Sequence, residues 1–292
     1  MIMTLFLSNF VKKIKNFFYK NRLIFRFSSF ELVISGFLMA VFLIVSFLFK
    51  TTVPTRFNIA FELPFYVLIG ILLHWFKGII VAFSFDFGKL LLTSRVIFWT
   101  PEYGIIPILV AIISSLIFSL VTKKDIFLIF LLIGTYIIIV IFVFFYYFFS
   151  EEQVIKKVAK DWKNIFSKKL VLILIAVFGS ILLTFSTFLL IFYWKKRTKK
   201  LKIALITLFV LGFCFLIFRW LWHPFAFIKY YNRFFNRTGK DRLVQDYFFF
   251  YLTPIILKST VSFPIYALIL IRLVPLVQYL NKKHNYRWIL GY

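Results

Sequence analysis

The hydrophobic positions of the chain form long continuous blocks, and the polar residues are concentrated in the short stretches between them. Most blocks are long enough for a helix of about 20 residues to cross the hydrocarbon core of a bilayer. Their residues do not alternate in polarity, as the strands of a membrane barrel would. The pattern predicts an all-α, polytopic transmembrane helix bundle. Eight apolar segments are predicted, at residues 30–49, 59–73, 78–92, 104–121, 126–150, 170–194, 201–222 and 247–280.

Three of these segments depart from a simple span. Residues 59–73 and 78–92 are short and are separated by only four residues, so we expect a tight hairpin there. The last segment is longer than one straight span requires. Pro254, Pro264 and Pro275 are expected to kink or break it, because proline removes a helix hydrogen bond and clashes with the preceding turn.

Composition supports a membrane location and narrows the chemistry. The 292 residues are 62% hydrophobic, against about 45–50% in ordinary soluble domains. The formal net charge is +26, but the basic residues lie mostly between apolar blocks, where the positive-inside rule places them, so we expect no nucleic-acid partner. Cys214 is the one cysteine, and the three histidines are scattered. We therefore expect no disulfide, metal or cofactor.

The basic residues also predict an orientation. Residues 1–29 contain no acid and are interpreted as a cytoplasmic arm that lies along the membrane, ahead of a transmembrane domain at 30–292. Eight spans then put both termini on the cytoplasmic side of the cell membrane. The lysine-rich loop 151–169 falls on the outer side and conflicts with the positive-inside rule. Either its acidic residues screen it partly, or a neighbouring segment does not span.

Catalytic motifs are absent from the sequence, so we expect no enzyme. The string closest to a phosphate-binding loop, residues 234–241, lacks the first glycine and the final serine or threonine. There is no nucleophile elbow and no zinc-protease motif. Asp86, inside the third apolar segment, is expected to be a structural polar group satisfied within the bundle, with ligand contact as the alternative.

Gly36 and Ala40 form a small-residue step on the first helix, which lets two helices approach closely. Two interpretations stay open for this face. It packs inside the bundle, or it contacts another membrane subunit.

Four stretches together resemble a known family: residues 34–40; residues 56–64 followed by Gly70, Gly78 and Asp86; residues 101–103; and residues 251–264, in which Lys258 precedes Pro264 by six residues. They are similar to the substrate-binding (S) component of energy-coupling factor (ECF) vitamin transporters, and most similar to its folate-type members. That family has six spans. The resemblance therefore implies a six-helix core at 30–121 and 201–280, with residues 122–200 as an insertion of about two spans.

The sequence departs from the family pattern at several positions. His74 and Trp75 replace the usual Gly-Pro, and Ala82 replaces a glycine. Ile255 stands where folate-type relatives tend to have an arginine. We therefore expect a folate-like ligand first and riboflavin or another vitamin next.

The resemblance implies a function and partners. An S component binds a vitamin from outside the cell and associates with a transmembrane coupling protein and two cytoplasmic ATPase subunits, which supply the energy. In this chain, Gly36 and Ala40 would form the interface with the coupling protein. The absence of a nucleotide motif fits this division of labour.

Five residues are predicted to bind the ligand: Arg56, Asn58, Trp99, Tyr103 and Lys258. Arg56 in the loop after the first segment is either solvated or clamps a ligand carboxylate. Trp99 and Tyr103 either belong to the interfacial aromatic belt or stack on a planar ring. Lys258 either snorkels outward or takes part in an interior site. Two other functions compete: a different multispan carrier or channel, and a membrane-embedded scaffold or enzyme.

Overall fold

The computed structural model describes residues 26–52, 61–149, 168–236 and 241–289. Helices make up 92% of these residues, among which no strand occurs, so the all-α prediction is confirmed. The eight α-helices of the described ranges are α1 (Ser29–Thr52), α2 (Glu62–Leu92), α3 (Pro101–Lys123), α4 (Ile126–Phe149), α5 (Lys168–Lys196), α6 (Lys199–Cys214), α7 (His223–Phe234) and α8 (Val244–Ile289). A 3₁₀ turn, Val96–Phe98, precedes α3, and a π-helical segment, Phe215–Trp222, joins α6 to α7.

Seven helices within the described ranges are long and apolar enough to cross a membrane, so the chain is a multi-pass membrane protein. Five of them are α1, α3, α4, α5 and α8, another is α2, and α6 continues through α7 as the seventh. The eight apolar segments predicted from the sequence fall on these helices, and the second and third lie together on α2. The predicted arm at 1–29 and the loop at 151–169 fall almost entirely outside the described residues.

Helix α2 folds back on itself, as the two short apolar segments predicted. At His74 the backbone leaves the helical region, with φ 61° and ψ 177°. The limbs 62–73 and 75–92 then run side by side: Lys89 Nζ lies 2.8 Å from a carboxylate oxygen of Glu62. Near the turn, a Cβ built on Gly78 would lie 3.4 Å from Cα of Gly70. Such contacts between residues 8 and 27 positions apart are impossible along one straight helix.

The two limbs of the hairpin differ in length. At 1.5 Å per residue, the first is about 18 Å long and the second about 27 Å, against about 30 Å for a hydrocarbon core. Gly70 and Gly78 both pack against Ala111, which lies halfway along α3. A Cβ on Gly70 would come within 2.5 Å of the Ala111 carbonyl oxygen, so only glycine permits this approach. The hairpin therefore has both of its ends at the same end of the bundle, and its apex lies beyond the middle of α3, level with the first turn of α1.

A buried ion pair attaches the hairpin apex to α1. Lys77 Nζ donates to both carboxylate oxygens of Glu31 at 2.8 Å, and the two side chains are only 6% and 13% exposed. Glu31 also completes a capping box, because its carboxylate accepts from the Ser28 amide while the Ser28 hydroxyl accepts from the Glu31 amide. One carboxylate therefore both starts α1 and holds the apex.

Helix α8 continues through Pro254, Pro264 and Pro275, so of the two predicted effects, a kink or a break, the break does not occur. Within a bilayer, a break would expose several backbone groups with no water to satisfy them, and this costs more than the one hydrogen bond that each proline removes. Thr253 and Ser259 also donate back to the carbonyl oxygens of Phe249 and Ile255. The sequence shows the prolines but not this constraint.

The two ends of the bundle are fastened differently. At the end near Lys123, Lys202 pairs with Asp125 at 2.6 Å, and Tyr193 donates to the same carboxylate at 3.0 Å. The hydrogen bond from Lys202 and, secondarily, that from Tyr193 hold the pKa of Asp125 below its ordinary value. At the other end, near Trp99, Arg242 lies 3.5 Å from the centre of the Tyr231 ring and joins α7 to α8. We call these the Lys123 end and the Trp99 end.

The region predicted as an insertion shares the core of the bundle. On α5, the Phe178 ring packs against Trp220 and Phe263, with ring centres 5.1 and 5.2 Å away. On α4, the Tyr146 hydroxyl is hydrogen-bonded to Thr253 of α8 at 2.9 Å. Helices α4 and α5 are thus packed into the bundle through aromatic and polar contacts.

The position of the apex predicts which single cysteines react with a membrane-impermeant maleimide. In a Cys214→Ala background, Ser94→Cys and Lys124→Cys should react from opposite sides, because α3 crosses between them. Trp75→Cys at the apex should react from the side that labels Lys124→Cys, because the neighbouring Lys77 is paired with the first turn of α1. Failure of Trp75→Cys to react from either side of sealed vesicles would mean that the apex stops within the bilayer.

Candidate functional site

Charged and polar side chains from four elements converge inside the bundle, towards the Trp99 end. The α2 hairpin, the first turn of α3, the π-helical segment with the start of α7, and α8 each contribute. We define the polar cluster as Glu62, Tyr66, Asp86, Lys89, Tyr103, Arg219, His223, Lys258 and Tyr266. Charged groups at such positions are costly in a bilayer and commonly mark a functional site.

The hairpin supplies both acids of the cluster and their direct partners. Glu62 and Lys89 form an ion pair at 2.8 Å across the open end of the hairpin, with about a quarter of each side chain exposed. One turn deeper, the buried Tyr66 hydroxyl donates to Asp86 at 3.2 Å. Lys89 is also within electrostatic range of Asp86. The hairpin therefore carries two carboxylates and one ammonium group, all with partners.

Arg219 faces this end of the hairpin from the π-helical segment. Its guanidinium is within electrostatic range of Glu62, Tyr103 and Tyr266. Arg219 lies in the middle of Phe215–Trp222, whose neighbours Phe218 and Trp220 are buried in the core. π-Helical backbone is rare and is found mostly as short insertions at functional sites. The unusual backbone and the charge inside an apolar segment thus occur at the same residue.

Lys258 and His223 complete the positive side of the cluster. Lys258, partly buried on α8, is within electrostatic range of Arg219. His223, which begins α7, is within range of Arg219, Glu62 and Lys258. Neither Arg219 nor Lys258 makes an ion pair or a side-chain hydrogen bond with any residue in the described ranges. The cluster therefore contains two cationic groups without direct partners in the described part of the chain.

Aromatic rings line the cluster. The Tyr103 ring lies edge-on to His223, with ring centres 5.5 Å apart, and next to Tyr230 at 6.0 Å. On α8, the Tyr266 ring contacts Phe61 and Phe215, with ring centres 5.3 and 5.9 Å away. Cationic groups beside aromatic faces suit a ligand that combines an anionic group with a planar ring.

The structure brings together two of the five residues predicted to bind the ligand. Tyr103 and Lys258 both belong to the cluster. Trp99 lies at the edge of the bundle, 40% exposed, with its ring packed against Gly104, where a Cβ would lie 2.7 Å from it. Arg56 and Asn58 fall outside the described residues.

The other predicted positions are also placed. Asp86 has its partner in the hydroxyl of Tyr66, as expected of a polar group satisfied within the bundle. Lys89, three residues further along the same limb, pairs with Glu62. Gly36 and Ala40 lie on an exposed face of α1, and nothing comes within 4 Å of a Cβ built on Gly36. This face is therefore not packed inside the described part of the bundle.

Arg219 is the cation of the polar cluster that the sequence interpretation missed. The signal was present, because Arg219 lies inside the seventh predicted apolar segment, eighteen residues after Leu201. The rule that identified Asp86 and Lys258, a charged residue within an apolar segment, applies equally to it. The many basic residues of the chain, explained together by the positive-inside rule, concealed it.

Surface grooves elsewhere on the bundle do not compete as polar sites. A groove of about 520 Å³ between α4 and α5 and one of about 220 Å³ beside α3 and α4 are lined almost entirely by apolar atoms. Grooves of this kind on transmembrane helices face lipid. The polar cluster is therefore the candidate functional site.

Comparison of the chain with protein-family models, with curated proteins and with solved structures found no match in any of the three. The function is therefore argued from the geometry of the polar cluster, beside the short motifs described above.

The unpartnered charge of Arg219 predicts an unusual effect on stability. Arg219→Gln should raise the free energy of unfolding of the ligand-free protein by about 1–3 kcal/mol, because it removes an interior charge that has no direct partner among the described residues. Lys89→Gln should lower it, because it leaves Glu62 without its partner. Reversible unfolding in mixed micelles measures both. Destabilisation by Arg219→Gln would show that Arg219 is held by a structural partner.

Proposed function

We propose that this protein is the substrate-binding membrane subunit of a vitamin transporter, and that it binds an anionic vitamin at the polar cluster. The observation that carries the proposal is the presence of Arg219 and Lys258 inside the bundle without ion-pair partners among the described residues. Such charges are costly and are retained where they serve a ligand or an ion pathway. An anionic ligand would supply the missing partner.

The surroundings of the cations favour an organic anion with a planar ring. Arg219 can hold a carboxylate through two parallel hydrogen bonds, and Lys258 adds a second positive charge. Tyr103, His223 and Tyr266 supply aromatic faces within the same cluster. A folate-like vitamin satisfies both requirements and is our first candidate. Riboflavin has the ring but no anionic group, and comes second.

The S-component form of the proposal adds partners. The chain would assemble with an ECF transmembrane coupling protein and two cytoplasmic ATPases in the cell membrane, with both of its own termini inside. The exposed face of α1 at Gly36 and Ala40 supports this arrangement, because a close helix–helix contact requires such small residues with no neighbour of their own. In this proposal the chain itself catalyses no reaction.

A second candidate function is a secondary carrier that works without ATPases. The break in α2 supports it, since discontinuous helices are typical of the substrate sites of secondary transporters. The two candidates share the binding site and differ in whether transport needs ATPase partners.

Ligand binding can be tested by thermal stabilisation of the purified protein, because a ligand that binds only the native state raises its apparent stability. We expect one vitamin of a panel to stabilise the wild-type protein. Arg219→Gln and Lys258→Gln should each weaken its affinity more than tenfold. Lys202→Gln removes a cation at the Lys123 end and is the matched control, expected to leave affinity unchanged. Stabilisation by the same vitamin in all four proteins would remove the cluster as the site.

Assembly can be tested separately by affinity purification in mild detergent. We expect the wild-type protein to recover a coupling membrane protein and two ATPases. Gly36→Leu and Ala40→Leu should abolish this recovery while vitamin binding is retained. Gly134→Leu is the control, because Gly134 on α4 also has open space around it. Transport that persists without any recovered partner would favour the secondary carrier.

A further inference from the structure

The charges of the polar cluster are divided unequally between the hairpin and the two elements that carry its other charges, the π-helical segment and α8, which we call the wall. Glu62, Asp86 and Lys89 give the hairpin an excess of one negative charge. Arg219 and Lys258 give the wall two positive charges. With histidine counted as neutral, the cluster has a formal excess of one positive charge.

Among the described residues, neighbouring charges do not alter this balance. Arg95 is within electrostatic range of Lys89, but it lies exposed in the loop before α3, where it is solvated. Glu102 and Arg233 lie 3.7 Å apart and compensate each other. In the part of the chain that the structure describes, the excess therefore belongs to the groups inside the cluster.

Glu62 is the acid whose attraction to Arg219 a ligand anion would replace. It is within electrostatic range of Arg219 while paired with Lys89. In the empty protein it is a carboxylate that partly compensates Arg219 without contacting it. A ligand anion that reaches the guanidinium competes with this longer-range attraction.

We infer that the cluster accepts one net negative charge, so that its ligand inserts a single carboxylate-type group between Arg219 and Lys258, and that Glu62 sets this limit. The inference rests on the proposed function, because it assumes that an anion binds at this cluster. A single negative charge brings the cluster to neutrality. A second would leave it negative, at a cost that is large in surroundings of low dielectric constant.

The inference constrains the ligand. A vitamin with two carboxylates places one in the cluster and keeps the other outside it, in contact with water. A neutral ligand such as riboflavin leaves the positive excess uncompensated and binds through its ring alone.

The test uses small aromatic acids that differ in charge but share a ring: benzoate, phthalate with two adjacent carboxylates, and neutral benzamide. Affinities for the full-length protein in detergent are measured by thermal stabilisation at fixed pH and ionic strength. We expect the wild-type protein to prefer benzoate to phthalate by at least tenfold and to bind benzamide more weakly than benzoate.

Charge variants of the hairpin then test whether the preference between benzoate and phthalate follows the net charge of the cluster or the structure of the hairpin. Glu62→Gln raises the positive excess to two and should shift the preference towards phthalate by at least tenfold. Glu62→Gln combined with Lys89→Gln returns the excess to one and should restore the preference for benzoate. Asp125→Asn is the control, because it also removes one carboxylate and one ion pair, but at the Lys123 end.

The outcomes distinguish the inference from the proposed function. If neither benzoate nor phthalate stabilises the wild-type protein, and no vitamin of the panel does so, the polar cluster is not an anion site. If benzoate binds and Arg219→Gln abolishes binding, while Glu62→Gln leaves the ratio of the two affinities unchanged, the anion site stands and the charge-balance inference is overturned. A ratio that changes equally in Asp125→Asn would also overturn it.

Discussion

Charged groups inside a membrane bundle are stable only where an opposite charge or a hydrogen bond compensates them, and this requirement holds the α2 hairpin in place. Lys77 is buried and so must lie against Glu31, which fixes the apex to α1. Glu62 must lie against Lys89, which brings the two ends of the hairpin together. Between these two ion pairs, the backbone at His74 adopts a conformation that a non-glycine residue keeps only when its surroundings enforce it.

Arg219 and Lys258 do not meet this requirement, because neither has a direct partner among the described residues. This exception marks the polar cluster as the candidate site. Three buried or partly buried acids of the hairpin and of α1 have direct partners at 2.8–3.2 Å. The two cations of the wall have none among the described residues. Proteins tolerate such local instability where function requires it and compensate it through the rest of the fold. The π-helical backbone at Arg219 is a second unusual feature at the same position. Packing alone is therefore a poor explanation for the charge there.

Residue patterns predicted the helical class, the membrane location and the α2 hairpin, because each follows from the length and spacing of apolar segments. They also singled out Tyr103 and Lys258, which lie in the polar cluster, since an aromatic or charged residue near the end of a span or inside one is informative by itself. The pair of Glu62 with Lys89 could not be predicted, because it joins residues 27 positions apart and depends on where the turn occurs. Arg219 was predictable in principle but was hidden among 36 basic residues.

The placement of the charges also determines what the proposed binding would do to the hairpin. The attraction between the hairpin and Arg219 comes from Glu62, whereas the apex is held by Glu31 on a different helix. An anion bound between Arg219 and Lys258, as proposed, would reduce their formal charge from two to one and so weaken the first attraction, but would leave the second unchanged. The ion pair of Glu62 with Lys89 and the close contact of Gly70 with Ala111 do not involve either cation, so they would still hold the hairpin in the bundle. Binding would therefore act on the charge of the site and not on the fold that positions it.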